Sequence, residues 1–199
     1  MADGGWQISG KLPSRLPPNS LEHRCPLSAA VPIPDSRFPI PAAVPSHQSR
    51  VTSHQFMTHA LRLASEAAEH HDVPIGAVVV RNGEIIGRGS NRTVRDQDPT
   101  AHAEIIAIRE AARTLGTWRL EGAELFVTLE PCSMCAGAIV LARLDRVTFG
   151  AWDEKAGMAG SVGDLLRHPR LNHRPEVVGG AMAEECGSLL REFFAPKRT

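Results

Sequence analysis

The chain lacks an excess of charge of either sign. Across 199 residues, 22 Lys and Arg balance 22 Asp and Glu, and the formal net charge is zero. That balance excludes a general polybasic nucleic-acid binder, though not a local basic patch. Long apolar runs are also missing. The longest, Ala136 to Ala142 with a glycine inside, is far too short to cross a bilayer. Cysteine is scarce, and four in this length do not make a disulfide framework. No N-terminal segment combines a charged start, an apolar block and a small-residue cleavage site, as a secretory signal would. The expectation is a soluble protein of a reducing compartment, cytoplasmic by default.

Hydrophobic residues make up 42%, enough for one core, and the length suits a single domain with a tail. Proline marks the tail. Nine of the 15 prolines fall in the first 50 residues, where Pro32-Ile33-Pro34 and Phe38-Pro39-Ile40-Pro41 exclude both helix and central strand. Residues 1–50 therefore read as a disordered extension, and 51–199 as the folded domain. Two other readings of the extension stand. Arg15, Arg24, Arg37 and Arg50 outnumber Asp3, Glu22 and Asp35, as in an organellar presequence; or the true start lies near Val51 or Met57.

Periodicity begins after residue 50. Phe56, Ala60, Leu63, Ala64 and Ala67 form one helical face, with Ser53 placed as its N-cap. Ile75 to Val80 reads as a buried strand, Asn82-Gly83 as a two-residue hairpin turn, and Glu84 to Gly89 as the returning strand. A helix over about 101–115, a strand over 124–129, a short apolar helix over 132–141 and a strand over 146–150 follow. Ser161 is read as capping a helix to about Arg167. A short strand over 175–178 and a helix over 181–194 close the chain. This order predicts an α/β sandwich, with helices on both faces of one mixed five-stranded sheet.

Two segments carry chemistry: Thr100-Ala101-His102-Ala103-Glu104 and Glu130-Pro131-Cys132-Ser133-Met134-Cys135. Each opens a helix. Cys132 and Cys135 are three apart, so on a first turn their sulfurs face the same way, and a helix N-terminus favours thiolate. With a nitrogen from His102 they give Zn²⁺ three protein ligands and leave one position open, the pattern of a catalytic rather than a closed structural zinc. Two thiolates also neutralise the ion, so its water is acidified less and a nearby base becomes more necessary. Glu104 can supply it. A Cys-x-x-Cys pair alone would equally suit a redox couple, and a structural zinc is another reading, but either leaves Glu104 unexplained. His-x-Glu followed by Pro-Cys-x-x-Cys is the signature of zinc deaminases. Neither remaining cysteine makes a good fourth ligand, since Cys186 fits a buried helix face and Cys25 sits in the tail.

Residues 53–196 resemble the bacterial tRNA-specific adenosine deaminases (TadA type), of the cytidine and deoxycytidylate deaminase superfamily. The resemblance extends beyond the zinc motifs to Val73-Pro74-Ile75-Gly76-Ala77-Val78, Asp98-Pro99-Thr100, Phe149-Gly150-Ala151, Gly160-Ser161, Leu171-Asn172-His173-Arg174 and the helix with Phe193-Phe194. The zinc motifs alone fit cytidine, guanine and pterin- or riboflavin-pathway deaminases too; the segment from Leu171 to Phe194 is what favours tRNA. The resemblance implies a cytidine-deaminase-like three-layer α/β/α sandwich and one Zn²⁺ per subunit, held by His102, Cys132 and Cys135. It implies that Glu104 moves protons, that Asn91 hydrogen-bonds the purine, and that Ile75 and Leu129 line the base pocket. Asp153 and Lys155 match a loop near the substrate backbone, where Trp152 departs from the polar or basic residue expected. The implied reaction is hydrolytic deamination of adenosine to inosine at the wobble position of an arginine tRNA anticodon, by a homodimer acting on the anticodon stem-loop. Deamination of a free purine such as guanine is the alternative. Arg167, His168, Arg170, His173, Arg174, Lys197 and Arg198 are candidate phosphate contacts.

Overall fold

Two adjacent residues with positive φ, Asn82 at 52° and Gly83 at 81°, turn the chain between its first two strands. This is the conformation a two-residue hairpin requires, and one that Asn and Gly tolerate best. The computed structural model describes residues 47–195, with side chains from Ser53 onward. These comprise α1 (His47–Glu69), β1 (Gly76–Arg81), β2 (Glu84–Ser90), α2 (Ala103–Leu115), β3 (Ala123–Leu129), α3 (Ser133–Ala142), β4 (Arg146–Ala151), β5 (Glu176–Gly179) and α4 (Ala183–Phe194). The strands form one mixed sheet in the order β2-β1-β3-β4-β5. β1 is antiparallel to β2 and β3, whereas β3, β4 and β5 run parallel.

Two apolar clusters cover the two faces. One joins Ala103, Ala107 and Ala111 of α2 and Ala136 and Ile139 of α3 to Val79, Leu125, Val127, Val147 and Phe149 of the sheet. The other joins Met57 and Ala60 of α1 and Cys186 of α4 to Val78, Val80 and Phe126. The expected three-layer α/β/α sandwich is therefore present. Its helices lie close. A Cβ on Gly76 would come within 2.0 Å of the Ala60 carbonyl oxygen in α1, and Cβ atoms on Gly87 and Gly89 within 2.3 and 2.0 Å of the Ala107 and Ala103 carbonyl oxygens in α2. Among the described residues, no helix is long and apolar enough to cross a membrane.

Two expectations need correction. Ser53 does not cap the first helix, because α1 starts at His47 and Ser53 lies in its second turn. The polar residues ahead of Phe56 carry no apolar stripe to announce them. No helix forms over 161–167 either; these residues make turns and a bridge between Ala159 and Asp164. The Ser161 hydroxyl donates to Glu130 instead of capping. The rest of the proline-rich stretch, residues 1–46, lies outside the described residues, as do Lys197 and Arg198.

Candidate metal centre

Both helices on one face begin at the site. His102 occupies the N-cap position of α2 and Cys132 that of α3, with Cys135 one turn into α3. Neither residue makes a side-chain capping bond, and the imidazole instead meets the two sulfurs. Each helix presents its partially positive end to the same point, which favours negative charge on sulfur. His102 Nδ1 lies 3.7 Å from Cys132 Sγ and 3.5 Å from Cys135 Sγ. These ligand atoms all fall within 4.8 Å of one another. Zinc bonds of about 2.3 Å to sulfur and about 2.0 Å to nitrogen, spread tetrahedrally, put ligand atoms about 3.5–3.8 Å apart. The three residues fit the ion.

The protonation pattern agrees. The neighbouring Cys135 thiol, with help from His102, holds Cys132 down to about 3. Cys135 is pushed far up by its hydrogen bond to Cys132 and by burial. Without metal the pair thus shares one proton, carried on Cys135. The Cys132 sulfur raises the His102 pKa against an opposing effect of burial. Glu104, only 4% exposed, has its pKa raised by desolvation. Its Oε2 is buried without a hydrogen-bond partner. A buried carboxylate oxygen that no structural contact uses is expensive to keep, and it stands two residues from His102.

The loop that enters α2 is fixed at both ends. Asp72, fully buried, accepts the Val94 backbone N–H at 2.7 Å. Asp98 accepts the Thr100 N–H at 2.8 Å and its hydroxyl at 2.7 Å, and the hydroxyl bond lowers the Asp98 pKa. Asn91 is buried, and its amide reaches Val73 O at 3.3 Å and Thr93 Oγ1 at 3.4 Å, both long. Ile75 and Leu129 stand at adjoining strand ends, where the pairing of Ala77 with Val127 leads to them; Ile75 packs with the cluster under α2 and α3, and Leu129 with the one under α1 and α4.

Across the site, the loop after β4 is held by a residue that sequence reading passed over. Glu130 is 2% exposed. Its Oε1 accepts the N–H groups of Ala159 at 2.8 Å and Ser161 at 3.1 Å; its Oε2 accepts Asp153 N–H at 3.1 Å and the Ser161 hydroxyl. Met158 N–H donates to Pro131 O at 2.9 Å, and Cys132 bridges to Gly157. The loop is therefore tied to the chain on both sides of Pro131. Within it, Asp153 Oδ1 accepts the N–H groups of Lys155 and Ala156 at 3.0 and 3.2 Å, and the Lys155 side chain is exposed. The sequence signal for its burial is its position directly after a strand buried along most of its length.

The basic run divides. Arg167 pairs with Asp164 at 2.6 Å and donates to Ala159 O at 2.8 Å, and His173 Nε2 lies 2.6 Å from Leu144 O. Both serve the fold. His168, Arg170 and Arg174 are exposed.

Residues 50–151 match the family model for the cytidine and deoxycytidylate deaminase zinc-binding region. The chain is 53% identical over 143 residues to a tRNA-specific adenosine deaminase of Bacillus subtilis, covering 72% of this chain and 89% of that protein. It is 49% identical over 143 residues to a tRNA-specific adenosine deaminase of Aquifex aeolicus, covering 72% and 94%. A structure solved in a study of A-to-I editing by tRNA:A34 deaminases at the wobble position of transfer RNA superposes with a TM-score of 0.67 at 47% identity, covering 68% of this chain and 99% of that one. A guanine deaminase from Nitrosomonas europaea superposes with a TM-score of 0.62 at 26% identity, covering 71% and 84%.

Proposed function

The chain belongs to the tRNA-specific adenosine deaminases, zinc-dependent hydrolytic enzymes, and from that premise we propose that it converts adenosine to inosine at the wobble position of an arginine tRNA anticodon. The observation that carries the chemistry is Glu104 Oε2, buried and unpartnered beside the three metal ligands.

When bound by His102, Cys132 and Cys135, zinc supplies a Lewis acid that brings water's ionisation towards neutral pH and stabilises negative charge on oxygen. Glu104 then moves the protons. It takes one from the attacking water and gives it to adenine N1 as carbon 6 becomes tetrahedral, then takes the second from the hydroxyl now on carbon 6 and gives it to the amine, which leaves as ammonia. Burial raises its pKa, the direction that suits a group which must both accept and donate near neutral pH. Asn91 exchanges one of its long amide contacts for the purine, and Ile75 and Leu129 give the base apolar contact. Asp153 and Lys155 meet the RNA backbone. An anticodon loop is single-stranded, so unstacking its base costs less than opening a duplex. His168, Arg170 and Arg174 add phosphate contacts, so affinity falls as salt rises. The active form is a homodimer with the outer face of α3 at the interface, where Leu141 is 72% exposed on a helix otherwise rich in buried residues.

The deciding experiment is to incubate the zinc-loaded enzyme with an arginine tRNA anticodon stem-loop and, separately, with free guanine. Inosine at the wobble position and no xanthine is the expected result. Ammonia release from guanine alone would replace this reading with purine-base deamination.

A further inference from the structure

We propose that Trp152 is a stacking platform for an unpaired nucleobase of the RNA that flanks the reacting adenosine. This rests on the tRNA reading above. Trp152 follows directly on β4, whose last residue Ala151 pairs with Leu129 at the end of β3. Those strand ends carry the loops of the metal centre. Trp152 is 44% exposed, yet its ring is held firmly. Its edge meets the Phe149 ring with centroids 4.8 Å apart at 88°. A Cβ on Gly179 would come within 2.8 Å of the ring and one on Gly160 within 3.4 Å, so the indole lies in a slot that side chains do not fill.

The backbone beyond it is fixed as well. Asp153 N–H is bound by Glu130, two residues before Cys132. The loop that carries the ring is thus anchored to the segment that enters Cys132. A rigid aromatic surface, half open to water, spends little conformational entropy when a flat partner lands on it.

The surroundings favour a base over a protein side chain. Lys155, three residues on, is exposed; Arg167 also borders the indole at Gly160, but it is paired with Asp164 at 2.6 Å, so the phosphate falls to Lys155. Aromatic faces beside cations are the recurrent means of holding single-stranded nucleic acid, the ring taking the base and the cation the phosphate.

The test uses the full chain carrying Trp6→Phe and Trp118→Phe, which leaves Trp152 as the only tryptophan. Saturable quenching of its fluorescence by the anticodon stem-loop is expected, lost when the nucleotide on the stacked side of the target is made abasic. In the otherwise unaltered chain, Trp152→Leu keeps an apolar contact to Phe149 but offers no ring. It should raise KM for the stem-loop about 5- to 150-fold, the range of one lost stack, with zinc content unchanged, and Trp152→Phe should recover most of the loss. The abasic substrate should cost the unaltered enzyme a similar factor and the Leu variant almost nothing. A KM within twofold of the unaltered value, or no quenching, overturns the proposal. A drop in sedimentation mass of the Leu variant also overturns it, by making Trp152 a subunit contact. Quenching needs no turnover: if it persists while no inosine forms, the deamination reading fails and this one stands.

Discussion

Glu130 and Gly157 fit each other: a Cβ on Gly157 would lie 2.3 Å from the Glu130 carboxylate. The acid fills the space a side chain would take, and from there both its oxygens accept donors of the loop after β4. Glu130→Gln removes that symmetry, because whichever way the amide turns, its NH₂ faces an N–H. The expected cost is about 1–3 kcal/mol, seen as a fall of several degrees in Tm. Zinc stoichiometry should hold while KM for the stem-loop rises. An unchanged Tm would show that the carboxylate does not hold the loop.

Glu104→Ala should keep zinc and fold and lose turnover by at least the 10²–10⁴-fold typical of general acid–base assistance, about 3–5 kcal/mol. Because the variant removes a buried, unpartnered oxygen, its Tm should equal or exceed that of the unaltered chain. Near-normal turnover would assign Glu104 another task.

Zinc uptake should release a proton. With Cys132 held down to about 3 and Cys135 held up, the metal-free site at neutral pH keeps the Cys135 proton, which must leave when both sulfurs bind. Below the raised pKa of His102 a second proton leaves with it. Titration calorimetry in buffers of different ionisation enthalpy should read about one proton above the raised pKa of His102 and more below it, with affinity falling as pH falls. Cys132→Ala and Cys135→Ala should each lose zinc and activity together.

Cys186 sets an alkaline limit. Burial raises its thiol from 9.0 to about 11. The folded form thus holds its proton more tightly than the unfolded chain, so this contribution is complete below pH 9.0 and is lost as pH rises through about 11. Thermal melts across that window should show a decline that Cys186→Ala removes. An equal decline in the variant would place its source elsewhere.

A chain starting at His47, the first residue of α1, should match the full chain in zinc content, Tm and single-turnover rate on the stem-loop. Every described strand and helix remains in it. A fall of many degrees would show that the proline-rich extension packs on the domain.

The zinc trio was legible in the sequence because it depends on spacing alone: two cysteines on one turn and a histidine opening another helix. The hairpin and its returning strand were legible through Asn82-Gly83, and the other four strands through their apolar residues. What stayed hidden was polar and long-range. Glu130 binds partners more than twenty residues away, and nothing near it in sequence names them. Asp72 is similar, its partner Val94 lying 22 residues on, beyond the hairpin. The helix expected after Ser161 failed because Gly163 weakens it locally and Glu130 takes the Ser161 N–H and hydroxyl that would have served a cap. α1 began earlier than its apolar stripe because the turn ahead of Phe56 offers the core nothing.

The contacts of Gly87 and Gly89 with α2 are backbone against backbone, so no change of neighbouring side chain could make room for even a methyl group there. The line between histidine and sheet is thereby closed to gradual drift. Efforts to retrain the enzyme towards another base will find these positions silent in any screen, returning only unfolded protein. Useful variation belongs at exposed positions beside the site that bear no such contact, such as Val94, Glu154 and Lys155.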